Sequence, residues 1–216
     1  MSKKTIVIVG AGKGMGNHVA KKFAQNDFRI VLMARNKENL DSYVKEFEAE
    51  EMECVGVVAD AADTKSLTEA FTKVKEMYGK IDVMVYNAAI LEPGFPTTLS
   101  SAELMRHYQV DVASALHCVE QVLPEQIEAK EGTILFTGGG LAMYPMAEFT
   151  CISVDKAALK ALAITLNQEL KEKGIFVGVV SIMGNIAPDT HYDPKLIAED
   201  YWKLYTERKE CEIVYK

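Results

Sequence analysis

Features that mark nucleic-acid binders, membrane proteins and zinc proteins are missing from this sequence of 216 residues. The formal net charge is −7 and no basic run is present, so we expect no nucleic-acid partner. The apolar run near the N-terminus is brief and ends in glycine, so we expect neither a signal peptide nor a membrane span. The four cysteines are far apart and form no C-x-x-C motif. They indicate free thiols in a reducing cytoplasm and no metal site.

No segment rich in proline, glycine and serine divides the chain, so residues 1–216 are predicted to form one domain. Apolar runs alternate along the chain with helical patterns. The runs predict about seven strands, at residues 6–9, 29–33, 54–58, 81–86, 132–137, 176–182 and 212–215. This order is typical of an α/β protein with a doubly wound parallel sheet, the Rossmann fold, which binds ligands at the carboxyl ends of its strands.

Helices are predicted between these strands, at residues 36–50, 153–173 and 194–207 among others. Ser100 and Glu103 form a capping box for one long helix that reaches toward Pro124. Another helix is capped by Asp63. Its inward positions are Leu67, Phe71, Val74 and Met77 or Tyr78. Segment 87–99 contains two prolines and a glycine and is predicted to be irregular.

The first strand runs directly into a glycine-rich turn and a helix start, Gly10-Ala11-Gly12-Lys13-Gly14-Met15-Gly16. Glycine accommodates the dihedral angles of a tight turn and lets the backbone approach a phosphate closely. The free N–H groups and the dipole at the start of a helix attract an anion. The turn therefore predicts a nucleotide site around residues 10, 12 and 13–16.

The glycine spacing is G-x-x-x-G-x-G, at Gly10, Gly14 and Gly16, and differs from the G-x-G-x-x-G pattern of many dinucleotide sites. In this spacing the chain resembles the short-chain dehydrogenase/reductase family, and the resemblance extends over nearly the whole sequence. It implies a nicotinamide cofactor and hydride transfer between that cofactor and a carbonyl or alcohol.

Two basic residues favour NADP(H) as the cofactor. Where NAD binders place a carboxylate, at the end of the second strand, this chain has Ala34-Arg35-Asn36. Arg35 can bind a 2′-phosphate bidentately, and Lys13 adds a second cation. The missing acid also argues against a methyltransferase that uses S-adenosylmethionine. The alternative interpretation is that both cations are solvated surface charges.

The resemblance implies further cofactor contacts. Asp60 matches the acid that contacts adenine, with Ala61 beside it, and Asn87-Ala88-Ala89 resembles the family's Asn-Ala-Gly turn. The other implied contacts are Asn36, Lys156, Gly184 and Ile186. Only residues 188–193 separate the turn after the sixth strand from the last helix, so little is available to close over a substrate.

The catalytic pattern that the family uses is broken in this chain. It consists of a Tyr-x-x-x-Lys pair, a serine thirteen residues before the tyrosine, and an asparagine on the preceding helix. Lys156 is in place, but Ile152, Gly139 and Asp111 stand at the tyrosine, serine and asparagine positions. The tyrosine transfers the proton and the serine steadies the substrate oxygen. Ordinary carbonyl reduction is therefore expected to be nearly abolished.

Two interpretations stay open. The first is an oxidoreductase with a rebuilt proton donor, for which Tyr144 is a candidate, or with a substrate that needs none. The second is a protein that binds NADP(H) without hydride transfer, as a cofactor sensor or a partner subunit. In both interpretations the resemblance implies that Lys156 holds the nicotinamide ribose. Asp111 is expected to pair with Lys156. His107 is expected at a surface or an interface.

Two long helices have more apolar residues than a single face packed against the core would need. These residues are Leu116, Val119, Val122, Leu159, Leu162 and Leu166. Because members of the family usually pair these helices, the pattern predicts a homodimer or homotetramer. A wide core face is the alternative.

Overall fold

The computed structural model describes residues 3–216 and is built around one sheet of seven parallel strands. The strands are β1 Thr5–Val9, β2 Arg29–Ala34, β3 Cys54–Val58, β4 Val83–Tyr86, β5 Gly132–Gly139, β6 Ile175–Ile182 and β7 Glu212–Tyr215. Their order across the sheet is β3-β2-β1-β4-β5-β6-β7, and every neighbouring pair is parallel. This confirms the predicted doubly wound α/β fold.

Seven α-helices connect the strands over the described residues: α1 Met15–Ala24, α2 Lys37–Ala49, α3 Thr64–Tyr78, α4 Ser101–Tyr108, α5 Ser114–Ala129, α6 Thr150–Leu170 and α7 Pro194–Glu207. The cap by Asp63 and the capping box of Ser100 with Glu103 are present as predicted. Segment 87–99 contains no helix or strand, which confirms its irregular character.

The core has two layers because successive residues of a strand point to opposite faces of the sheet. Val7 and Val9 face the layer covered by α3, α5 and α6, whereas Ile6 and Ile8 face the layer covered by α1, α2 and α7. Both layers bury large side chains completely, among them Phe71 in the first layer. The continuously apolar strands of the sequence reflect this burial on both faces.

The single long helix predicted from Ser100 toward Pro124 is wrong in two respects. A π-helical turn, Gln109–Ala113, separates α4 from α5, and α5 continues through Pro124 to Ala129. Proline cannot donate to the carbonyl four residues earlier, that of Glu120. Both residues lie on the exposed face of α5, where water can bind that carbonyl.

Several smaller predictions also need correction. Helix α6 begins at Thr150 rather than at residue 153, and β5 extends to Gly139 rather than to residue 137. Of the two alternatives for the last inward position of α3, Tyr78 packs against the core, as predicted, and Met77 is exposed.

The apolar residues predicted to mark a subunit interface mostly belong to the core. Leu116 is exposed and Leu162 is half-buried, but the other four are buried: Val119, Val122, Leu159 and Leu166. The wide core face therefore accounts for most of the pattern. None of the helices among residues 3–216 combines the length and the apolar character that crossing a membrane requires.

Candidate cofactor-binding site

A cleft of about 1370 Å³ lies at the carboxyl ends of the central strands. Val9 of β1, Thr137 of β5 and Ile182 of β6 reach it, together with Asn87 just after β4. This is the edge of the sheet where the fold binds ligands, beside the point at which strand order reverses. A smaller pocket of about 390 Å³ beside β3 contains none of the predicted site residues.

Most of the predicted site residues line this one cleft. They are Gly10, Gly14, Met15, Arg35, Asn36, Asp60, Ala61, Asn87, Ala88, Ala89, Tyr144, Lys156, Gly184 and Ile186. The structure does not place Gly12, Lys13, Gly16 or Asp111 in its wall. Gly12 and Lys13 belong to the turn that borders the cleft and Gly16 to the start of α1, whereas Asp111 is buried behind the cleft.

The glycines of the first turn serve two different purposes. Gly10 has a φ of 86°, and a Cβ there would lie 2.4 Å from the Ala88 nitrogen. A Cβ on Gly16 would lie 2.9 Å from the Gly10 oxygen. Chain packing therefore requires both residues to be glycine. Gly14 differs, because its Cβ would meet nothing within 4 Å although the residue lines the cleft.

The start of helix α1 is left open toward an anion. Gly14 is its N-cap residue and provides no side-chain hydrogen bond, and the first turn contains no acidic residue. The first N–H groups of a helix have no partner within the helix, and the dipole makes this end positive. A phosphate at this position would supply the missing acceptor, which the bare Cα of Gly14 lets approach.

A directed line of hydrogen bonds supports the turn from below. Asn87 Nδ2 donates to the Gly10 oxygen (2.9 Å), and Thr137 Oγ1 donates to Asn87 Oδ1 (2.8 Å). Because a hydroxyl has one proton, Tyr201 must be the donor in its 2.7 Å bond with Thr137 Oγ1. Helix α7 is thereby connected to the glycine turn through two strand ends.

The end of β2 presents a cation without a nearby acid. Arg35 is exposed, and neither it nor Lys13 has a carboxylate within 4 Å in the described part of the chain. The Asn36 side chain caps α2 by accepting from Asn39 N (2.7 Å). Asp60 accepts from Ala62 N (2.9 Å), which fixes the carboxylate at the wall of the cleft.

At the catalytic positions the cleft is apolar. Ile152 is buried and lines the wall beside Lys156, whose Nζ donates to the Thr137 oxygen at 2.7 Å. Gly139 has extended backbone, with φ −164° and ψ 157°. The nearest atom to a Cβ on Gly139 would be Lys156 Cγ at 3.6 Å, which is an ordinary contact. The chain therefore has room for a serine at residue 139.

Two buried carboxyls flank Lys156. Asp111 accepts from Ile90 N (2.8 Å), and burial raises its pKa to about 6. Asp155 is fully buried, and neither of its oxygens has a partner among residues 3–216. Burial, followed by the charge of Asp111, raises the pKa of Asp155 to about 7. Burial also lowers the pKa of Lys156, against the opposing effect of both acids.

Two predictions about this region are wrong. Asp111 and Lys156 do not form a direct ion pair, because Asp111 bonds to the backbone of Ile90 and Lys156 to that of Thr137. His107 is buried, at 3% exposure, and its Nε2 lies 3.5 Å from a Glu92 carboxylate oxygen.

Sequence reasoning missed Asp155 and part of the cleft wall. Asp155 follows the buried helical spacing of Ile152, Leu159 and Ala163, so an acid within an apolar stripe was the available signal. The missed lining residues include Asn39, Leu91, Arg106, Met146, Phe149 and Met183. They come from loops, from the first turn of α2 and from the face of α4, for which the sequence contains no comparable pattern. Residues 3–216 hold no cluster of His, Cys, Asp and Glu suited to a metal ion, and the four cysteines are free.

Comparison with known proteins gives the family. A family model described as short chain dehydrogenase matches residues 4–191, so the chain belongs to the short-chain dehydrogenase family of oxidoreductases. Oxidoreductase UcpA of Escherichia coli (strain K12) is 28% identical over 183 residues, which cover 83% of this chain and 68% of UcpA. The 2,3-dihydro-2,3-dihydroxybenzoate dehydrogenase of Bacillus subtilis (strain 168) is 26% identical over 213 residues, covering 99% of this chain and 77% of that enzyme.

A solved structure extends the similarity to the whole architecture. A metagenomic short-chain oxidoreductase in complex with NADP superposes with a TM-score of 0.89 at 26% identity, covering 98% of this chain and 95% of that one. The fold of the chain is therefore that of a short-chain dehydrogenase over almost its full length.

Proposed function

We propose that the protein is an NADP(H)-dependent oxidoreductase with an atypical active site, formed by one nucleotide-binding domain. The observation that carries the proposal is the uncapped start of α1 at Gly14. Packing does not require a glycine there, but the missing side chain leaves room for a phosphate to reach the first N–H groups of the helix. Arg35, which has no carboxylate within 4 Å among residues 3–216, supports the 2′-phosphorylated cofactor. The family resemblance, together with the position of both residues in the cleft wall, supports a role for Lys156 at the nicotinamide ribose and for Asp60 on the adenine side.

The cofactor preference is tested by titrating the protein with NADPH and NADH and following nicotinamide fluorescence. We expect NADPH to bind about 10–100-fold more tightly, since a hydrogen-bonded charge pair contributes about 1.5–3 kcal/mol. Arg35→Ala should remove most of this preference. Lys45→Ala, which removes an exposed cation of α2 that does not line the cleft, should leave it unchanged. Equal affinity for the two cofactors in the unmodified protein would contradict the proposal.

A second function is favoured by the loss of catalytic side chains. With Ile152 and Gly139 at the tyrosine and serine positions, the protein could bind NADP(H) as a sensor or as the partner subunit of an active relative. Turnover above about 0.1 s⁻¹ with any acceptor in a panel of carbonyl, imine and enone compounds would exclude this alternative, since typical enzymes reach 1–10³ s⁻¹.

We also propose that the protein forms an oligomer and works in the cytoplasm. We expect a homodimer or homotetramer that uses α5 and α6, because Leu116, Ile127 and Val154 remain exposed on these helices. Sedimentation that finds only a monomer at micromolar concentration would exclude it. The four free thiols fit the reducing cytoplasm.

A further inference from the structure

The catalytic end of the cleft offers a substrate no positioned proton donor. Ile152 has no titratable proton and Gly139 has no side chain. The hydroxyl of Thr137 is committed to Asn87 Oδ1 at 2.8 Å. The Lys156 ammonium donates one of its three N–H groups to the Thr137 carbonyl at 2.7 Å, and the proposed function assigns the rest of its donors to the nicotinamide ribose. A substrate that must be protonated as it is reduced finds no replacement for the missing tyrosine among these groups.

Among residues 3–216, Tyr144 is the one phenol that lines the cleft, but it is not held in place. Its side chain is 71% exposed, and its hydroxyl forms no hydrogen bond within the described chain. General acid catalysis needs a donor fixed within hydrogen-bond reach of the reacting atom. Tyr144 is therefore better suited to contact a substrate with its ring than to protonate it.

The entrance beside these positions forms an apolar rim, which consists of Leu91, Tyr144, Met146, Phe149 and Ile186. Leu91, Tyr144 and Met146 are each more than half exposed, at 74%, 71% and 52%. Exposed apolar residues that share one concave surface are typical of a ligand-binding groove. Aromatic rings and a thioether favour a flat, conjugated partner.

The cleft is also open to water above this rim. Residues 187–193, which follow β6, do not line the cleft. They fold back onto the sheet, where the Tyr192 ring packs over Gly184 and leaves only 2.3 Å to a Cβ at that glycine. Tyr215 of β7 donates to the His191 oxygen at 2.8 Å and holds the segment there. Solvent can therefore reach a substrate on the apolar rim.

We infer that the site reduces a planar conjugated acceptor, a quinone or an isoalloxazine ring, which stacks on the apolar rim and takes its proton from water. This inference rests on the proposed function, because a bound reduced nicotinamide supplies the hydride. The acceptor gains that hydride as an O–H or N–H bond and becomes a resonance-stabilised anion. The C4–H bond of the dihydronicotinamide is broken in return, and solvent later protonates the anion.

The basicity of the product explains why such an acceptor fits and a simple ketone does not. Hydride addition to a ketone leaves an alkoxide, which is about as basic as hydroxide, whose conjugate acid has a pKa of about 15.7. A reduced quinone leaves a phenolate, comparable to that of tyrosine, with a pKa of about 10. The phenolate is less basic by about five to six powers of ten, so it can form without a proton donor at Ile152.

Binding of the ring is tested without the cofactor. Riboflavin fluorescence quenching, and displacement of riboflavin by menadione, would measure affinity for each acceptor class separately. We expect Met146→Asp, which places a charge on the apolar rim, to weaken binding at least 10-fold. Met77→Asp, the matched control at an exposed methionine of α3, should have no effect. Absence of binding by both compounds, or equal weakening by both variants, would overturn the inference.

Turnover is then followed as NADPH oxidation, corrected for the uncatalysed rate. We expect menadione or riboflavin to be reduced at least 100-fold faster than cyclohexanone. Faster reduction of the ketone, or equal rates for the ketone and both conjugated acceptors, would overturn the inference. Failure to bind NADPH would overturn the proposed function instead. The binding measurement without cofactor would still show whether a conjugated ring binds at the apolar rim.

Discussion

Replacing Asp155 with asparagine is expected to stabilise the protein above pH 7. The Asp155 side chain is fully buried, and neither oxygen has a hydrogen-bond partner within residues 3–216. Burial, and then the charge of Asp111, raise its pKa from 3.8 to about 7, against the opposing effect of Lys156. The native carboxyl therefore keeps its proton at pH values where the unfolded chain has lost it.

The sign and size of the effect follow from proton binding. Between about pH 4 and pH 7 unfolding releases a proton from Asp155, so stability falls as the pH rises through this window and levels off above it. A pKa difference of about 3 corresponds to roughly 4 kcal/mol, and local relaxation of the site reduces this to about 2–4 kcal/mol. Asp155→Asn removes the titrating group and should remove most of this loss.

The measurement is urea unfolding at pH values from 4.5 to 8.5, followed by the fluorescence of the single tryptophan, Trp202. The free energy of unfolding of Asp155→Asn should exceed that of the unmodified protein at pH 8, and the gap should narrow toward pH 4.5. Asp41→Asn, at an exposed acid on α2, is the control and should keep the normal pH profile. Identical profiles for Asp155→Asn and the unmodified protein would refute the reasoning.

The remaining predictions concern the cleft. Ile152→Tyr with Gly139→Ser should raise carbonyl reduction at least about 10²-fold by restoring a proton donor and an oxyanion contact, and no gain in a variant that binds NADPH would mean that the substrate pocket is lost too. Gly10→Ala should destabilise the protein in urea by more than about 2 kcal/mol because φ is positive and the backbone of the loop after β4 blocks the methyl group. Gly14→Ala should be less destabilising and should weaken NADPH binding at least about 10-fold; the reverse order would contradict the two roles. Tyr201→Phe should cost about 0.5–1.5 kcal/mol, and an unchanged unfolding midpoint would argue against the hydrogen bond.

Elements that depend on local chemistry were predictable from the sequence. Helix α7 and strand β7 have the predicted bounds, because Asp193 caps the helix and Pro194 fits its first turn. The glycine turn was predictable for the same reason, since its spacing is a local requirement of one strand, one turn and one helix start.

Features that depend on distant contacts were not predictable. The π-helical turn brings Asp111 to the N–H of Ile90, a partner 21 residues away in sequence. The burial of Asp155 depends on how α6 packs against that turn. In the sequence Asp155 is only an acid next to Lys156, and nothing there indicates that its pKa is raised. The apolar rim is assembled from three separate segments, and only the folded chain brings them together.

The bond from Tyr201 through Thr137 and Asn87 to Gly10 has a practical consequence for anyone who alters the far end of the polypeptide. A deletion or fusion that displaces α7 removes the Tyr201 hydroxyl from Thr137. The hydrogen bonds that hold Asn87 against the Gly10 loop, near the other end of the chain, then lose their first donor. The nucleotide affinity of shortened or tagged versions should therefore be measured before a loss of activity is attributed to the catalytic residues.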